Sequence, residues 1–114
     1  MADAPAGHQA LIGLALLLSL VAAGAVAAPA APQVKASKVT IEGMRFEPET
    51  LTVQRGERVV WVNKDLVPHT VTSAAFDSRV IAPNGSWSFV AKKPGRYEYV
   101  CKLHPTMKAT LIVP

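Results

Sequence analysis

The 114-residue sequence has one cysteine, Cys101. That excludes an internal disulfide, a four-cysteine zinc knuckle and a paired-cysteine haem attachment motif. It has no basic run longer than Lys92-Lys93, no arginine-rich arm and no aromatic ribonucleoprotein signature, which argues against nucleic acid as a partner despite the formal charge of +4. No Ser-His-Asp set, carboxylate pair or phosphate-binding loop is visible, so bond-making catalysis has no machinery to rest on and the chain reads as a non-enzyme. No 11-residue window carries a convincing helical stripe, and the length allows one modest domain rather than two.

What is present begins with an uncharged apolar block, residues 10–28. Leu11, Ile12, Leu14 and residues 16–18 lead it, and Ala25-Val26-Ala27 closes it as an A-x-A cleavage site. Residues 1–27 thus read as a signal peptide, although residues 1–9 carry Asp3 and neither Lys nor Arg. The alternative is an uncleaved anchor, because about 18 apolar residues roughly span a bilayer. Both readings export the rest, and a membrane becomes a partner only under the second. Cleavage after Ala27 leaves 87 residues with 12 basic against 7 acidic side chains, a charge of +5. Residues 28–37 (APAAPQVKAS) are Ala/Pro-rich and aperiodic, a linker, and residues 38–114 form the domain.

Within that domain β-formers come in short runs at 39–41, 51–53, 58–62, 70–72, 87–90, 97–101 and 110–113. Breakers separate them: Glu47-Pro48, Arg55-Gly56, residues 63–68, Ala82-Pro83-Asn84-Gly85 and Lys93-Pro94-Gly95. About seven strands at this spacing predict an all-β fold, a Greek-key antiparallel β-sandwich. Trp61, Trp87, Phe46 and Phe89 are most simply core residues. Alternation from Tyr97 puts Tyr97, Tyr99 and Cys101 on one face, so Cys101 ends its strand pointing inward.

The stretch after Tyr99 carries the chemistry. Cys101, His104 and Met107 stand at three-residue intervals where a strand runs into a loop, and His69 precedes another strand. Taken singly, His104 reads as a surface histidine, Met107 as core and Cys101 as a small buried hydrophobe. Together, two imidazoles, a thiolate and a thioether are the donor set of a trigonal His₂Cys site with a weak axial Met, suited to copper cycling between Cu(II) and Cu(I). His8 lies in the targeting segment and is excluded.

These residues bring the chain to a known family. It resembles the cupredoxins, the small blue-copper proteins, and within them the amicyanin- and plastocyanin-like domains. The resemblance runs from about Val39 to Val113 through Met44-Arg45-Phe46-Glu47-Pro48, Leu51-Thr52-Val53-Gln54-Arg55-Gly56, Val60-Trp61-Val62-Asn63 with Asp65, Pro68-His69, and Pro94-Gly95-x-Tyr97-x-Tyr99-x-Cys101. It implies one type 1 copper per chain, held by His69, Cys101 and His104 with Met107 axial, both imidazoles binding through Nδ1. The chain departs from the family pattern twice: Thr70 follows the first histidine where many members have an Asn that ties the ligand loops together, and Ala109 stands where many have Gly.

The function expected from this is a periplasmic or otherwise extracytoplasmic, monomeric electron carrier. The competing reading is a copper-binding or copper-delivery protein, which extra exposed Met or His ligands would favour; only Met44 lies outside the site and the initiator. By resemblance, redox partners dock at an apolar face around His104 formed with Leu103, Pro105 and residues 66–68. Lys64, Lys102 and Lys108 near these loops attract an acidic partner.

Overall fold

The computed structural model describes residues 35–114 and Gly24, so the targeting segment and nearly all of the linker lie outside the described residues. Seven strands follow in order: β1 (Ala36–Glu42), β2 (Arg45–Glu47), β3 (Thr50–Thr52), β4 (Arg58–Asn63), β5 (Ser86–Val90), β6 (Gly95–Cys101) and β7 (His104–Val113). They form two sheets, one of order β2-β1-β4-β5 and one of order β3-β7-β6. No described residue is helical, and the all-β sandwich is the fold. Among the described residues no helix is long and apolar enough to cross a membrane.

The sheets are mixed rather than wholly antiparallel. β1 runs parallel to β4, with Val39 opposite Trp61, and β3 runs parallel to β7, with Leu51 opposite Leu111. Alternating β-formers mark a strand but not its direction, which here follows from crossovers between the sheets. β1 starts at Ala36, ahead of the run of β-formers, because Lys35 C=O accepts from Arg58 N–H and the Ser37 hydroxyl donates to Glu57. The run at 70–72 is not a named strand; Thr72 makes isolated bridges to Asp77 and Val100, and His69 one to Ile81.

The inward faces follow period-two alternation. Val39 and Ile41 of β1, Val59 and Trp61 of β4, Tyr99 and Cys101 of β6, and Met107, Ala109, Leu111 and Val113 of β7 are all buried. Phe46 is buried with them, while Trp87 and Phe89 pack against this core half-covered. Trp61 is its centre. Its indole Nε1 donates to the Tyr99 hydroxyl at 3.2 Å, and the two rings meet edge to face with centroids 5.6 Å apart. Burial pushes the Tyr99 phenol up to about 12, against the opposing effect of the Trp61 bond, so the hydroxyl keeps its proton.

Residues 64–85 connect β4 to β5 with no named strand of their own, a length that in compact domains usually signals a functional segment. Asn63, fully buried at the end of β4, ties this segment down: its side-chain amide donates to the carbonyls of Val67 (2.9 Å) and Ile81 (3.0 Å). His69 is thereby held over the end of the core. On the same side, Gly43 and Met44 turn β1 into β2 with φ of 63° and 59°, the left-handed pair that a two-residue hairpin requires.

Candidate metal centre

Cys101 is the last residue of β6 and His104 the first of β7; the two pair across a two-residue turn, Lys102-Leu103. The stretch expected to be a loop is a tight hairpin instead. A bulge between Val100 and Cys101 shifts the register there and turns the thiol toward the 64–85 segment. The Cys101 Sγ lies 3.5 Å from the His104 Nδ1 and 3.6 Å from the His69 Nδ1, and the three donor atoms all fall within 4.8 Å of one another. Met107, three residues into β7, is buried on the strand's inward face. His69 and Cys101 are fully buried and His104 half-buried, which leaves one ring near the surface.

These distances can be tested against a bound ion. Metal–sulfur and metal–nitrogen bonds of about 2.3 and about 2.0 Å, at angles between tetrahedral and trigonal, put sulfur and nitrogen about 3.5 to about 3.7 Å apart. The observed separations of 3.5 and 3.6 Å fit that span. Thiolate and imidazole donors, with a buried thioether close by in sequence, are a soft set that suits copper in both oxidation states.

Hydrogen bonds from the polypeptide fasten two of these donors, His69 and Cys101. The His69 Nε2 meets the Asp65 carboxylate at 2.8 Å, and because a carboxylate only accepts, the ring carries its proton on Nε2 and presents a lone pair on Nδ1. Asp65 is itself gripped by the amides of Gly43 (2.8 Å) and Met44 (3.0 Å). Burial raises its pKa, but the Met44 and Gly43 amides and the His69 ring outweigh that and hold it below the usual range. The Cys101 Sγ accepts from the Thr70 N–H at 3.3 Å, and the Thr70 hydroxyl accepts from the Lys102 N–H at 2.9 Å. Thr70 thus makes the tie between the two ligand segments that its position after His69 left open.

Comparison with known proteins agrees with this geometry. A model of the cupredoxin-like domain matches residues 10–113. The chain belongs to the cupredoxin family. It is 28% identical over 99 residues to amicyanin-alpha of Methylorubrum extorquens, covering 81% of this chain and 83% of that protein. To the amicyanin of Paracoccus versutus it is 30% identical over 82 residues, covering 66% of this chain and 62% of that protein. A Cu(I) form of an amicyanin variant superposes with a TM-score of 0.68 at 27% identity, covering 72% of this chain and 85% of that one. Copper, one ion per chain, is the cofactor on which this cupredoxin's family and its donor set agree.

Of the four residues expected at the site, the structure brings the donor atoms of His69, Cys101 and His104 together and buries Met107 on the inward face of β7. In the sequence Asn63 and Asp65 stand only as parts of a family pattern, and nothing there gives either a task. The signal for Asp65 was its position four residues before a ligand-type histidine, next to an Asn that pins the same segment. Nothing local in the sequence joins Asp65 to the Gly43-Met44 turn.

Proposed function

We propose that this cupredoxin is an extracytoplasmic carrier that moves one electron at a time through a single copper ion held by His69, Cys101 and His104, with Met107 as the weak axial donor. The observation that carries the reading is the convergence of two imidazole Nδ1 atoms on one buried cysteine sulfur at 3.5 and 3.6 Å. Copper bound there supplies a one-electron couple. The chain's part is to hold the ligands still, so that the change of oxidation state costs little rearrangement, and to keep water from the thiolate.

The half-buried His104 leads to an apolar surface. Leu66 is 93% exposed, Leu103 49% and Val67 40%, and Pro68 and Pro105 are exposed as well. This is the expected docking face, and a partner seated on it lies one imidazole ring from the metal. Of the three nearby lysines, Lys102 is ion-paired with Asp77, so attraction of an acidic partner falls mainly to Lys64 and Lys108. Residues 1–27 serve as the export signal in this reading, which places the domain in the periplasm or an equivalent compartment.

Titration of the metal-free domain with Cu(II) tests the assignment. One ion per chain should bring up an intense thiolate-to-copper absorption that vanishes on reduction and is lost in Cys101→Ser. Persistence of the band in that variant would refute the site. Leu103→Glu should slow electron transfer to a redox partner, and rapid loss of copper to a metal-free acceptor protein would point to delivery instead of electron carriage.

A further inference from the structure

Around the Cys101–His104 turn runs a closed circuit of hydrogen bonds that begins and ends on one residue. The Lys102 amide donates to the Thr70 hydroxyl at 2.9 Å, the Thr70 and Thr72 hydroxyls lie 3.0 Å apart, Thr72 donates to Asp77 Oδ1 at 3.2 Å, and the Lys102 ammonium donates to Asp77 Oδ2 at 2.8 Å. The direction of the middle bond follows by elimination. Lys102 has no choice but to donate at both ends, and the Thr72 proton is committed to a carboxylate that only accepts. Thr70 must therefore donate to Thr72, so every hydroxyl in the chain points toward Asp77. Such a run, ending on an anion, is polarised along its length and each bond strengthens the next.

The anchor is itself fixed. Asp77 Oδ1 also accepts from the Arg79 N–H at 2.9 Å, and Thr72 exchanges two backbone bonds of 2.9 Å with Val100, the residue before the bulge. The Lys102 bond, followed by the Arg79 amide, holds the Asp77 carboxyl down at about 2, so it stays charged. The ion pair alone contributes little, since Lys102 and Asp77 are 58% and 40% exposed and water screens them. Its value is geometrical, because it closes the ring outside a turn whose Lys102 amide is held by the Thr70 hydroxyl.

We propose that Thr70, Thr72, Asp77 and Lys102 act as one positioning unit that clamps the Cys101–His104 turn to the His69 segment and so sets the electronic character of the cysteine sulfur. Thr70 is the point of coupling. Its hydroxyl holds the turn and its amide, 3.3 Å from Sγ, draws density from the sulfur. Hydrogen bonding around a copper-bound cysteine sulfur tunes the potential. Loosening the ring lets the turn pivot, lengthens the amide-to-sulfur contact, makes the thiolate a stronger donor and favours Cu(II). The effect on potential rests on the copper-carrier reading above; the clamp does not.

The test uses the full domain in two forms. In the metal-free protein, hydrogen–deuterium exchange of the Lys102 amide should be at least tenfold faster in Thr72→Val and in Asp77→Ala than in wild type, and Thr72→Ser should restore protection. In the copper-loaded protein, Thr72→Val, which changes neither shape nor charge, should lower the potential and shift the thiolate absorption, with Thr72→Ser again close to wild type. Asp77→Ala is unsuited to the second arm, because removing a negative charge raises the potential by itself. Its surface location keeps the exchange arm informative if Thr72→Val folds poorly. Wild-type exchange in both variants overturns the clamp. Faster exchange with an unchanged absorption and potential overturns the positioning role. A wild-type domain that takes up copper without the absorption refutes the carrier reading while leaving the exchange result to stand or fall alone.

Discussion

Removing the Asp65 carboxylate should loosen the site more than its place on a surface turn suggests. The side chain accepts three hydrogen bonds with two oxygens, Oδ1 from Gly43 N–H and Oδ2 from both Met44 N–H and the His69 Nε2. The three losses in Asp65→Ala are unequal. His69 is fully buried, so its Nε2–H is left without a partner at a cost of about 1–3 kcal/mol, whereas the two turn amides can turn to water and forfeit about 0.5 kcal/mol each. The sum, about 3 kcal/mol, is a large share of what a domain of this size has, and lowers the melting temperature by roughly 15 °C. Asp65→Asn separates the contributions. Its one oxygen can keep the Met44 and His69 bonds while the amide nitrogen faces Gly43, so it should cost only about 1 kcal/mol. Thermal unfolding of the metal-free protein measures both variants, and the ¹⁵N shifts of His69 should show one tautomer in wild type and a mixture in Asp65→Ala. In the copper form both substitutions remove a charge that favours Cu(II), so the potential should rise in each. The reasoning is refuted if Asp65→Asn destabilises as much as Asp65→Ala, or if Asp65→Ala melts within a degree or two of wild type with its His69 tautomer unchanged.

Met107→Leu should retain copper and raise the potential, because a long axial thioether tunes the couple more than it holds the ion; loss of binding or a fall in potential would remove Met107 from the axial role. Tyr99→Phe deletes the acceptor of the Trp61 indole in a core where, among the described residues, no buried side-chain polar atom lacks a partner, and should cost about 1–3 kcal/mol in denaturant unfolding with little change in the copper absorption. Asp77 has its pKa lowered from the usual 3.8 to about 2 by the Lys102 bond first and the Arg79 amide second, so the unfolded chain binds the extra proton and stability is lost as pH falls through that interval. Melting temperature against pH should therefore drop between pH 4 and pH 2, and Asp77→Asn should flatten the drop.

Much of the fold is legible because short β-former runs bounded by Pro, Gly and Asn leave few other structures open. The runs at 39–41, 58–62 and 97–101 sit inside β1, β4 and β6. The candidate donor set stands out for a different reason: Cys101, His104 and Met107 share a short stretch, and rare residue types at fixed spacing survive any error in placing strands. What stays hidden depends on contacts between distant segments. The parallel pairing of β1 with β4 and of β3 with β7 is fixed by how the chain crosses between sheets, which no local alternation encodes. The Lys102-Leu103 turn lacks the Asn-Gly type of signal that marks a two-residue hairpin, so the stretch reads as a loop. The 70–72 run has strand-like residues, yet Thr72 makes only isolated bridges, exchanging backbone bonds with Val100 on one side and facing Asp77 between the Ser73–Phe76 and Ser78–Val71 bonds on the other.

The same distinction explains how the ligands are held. The backbone alone places each imidazole only to within the play of two rotatable bonds and the thiol to within that of one. The fixing comes from other residues: Asp65 orients the His69 ring and is gripped by the turn between β1 and β2, Thr70 donates to the Cys101 sulfur across 31 positions, and its hydroxyl holds the turn that carries His104. Every one of these partners is polar and belongs to the connections between strands, while the strands themselves supply the rigid apolar base on which Trp61 and Tyr99 lock. A site built this way divides its labour. Substitutions in the apolar base should act chiefly on stability and exchanges at Thr70 and Thr72 chiefly on the alignment of lone pairs and so on the potential, while Asp65, which holds a buried ring, acts on both. Tyr99→Phe and Thr72→Val, measured side by side for melting temperature and potential, should fall on opposite axes, and a single common trend through both would mean that packing alone sets the centre.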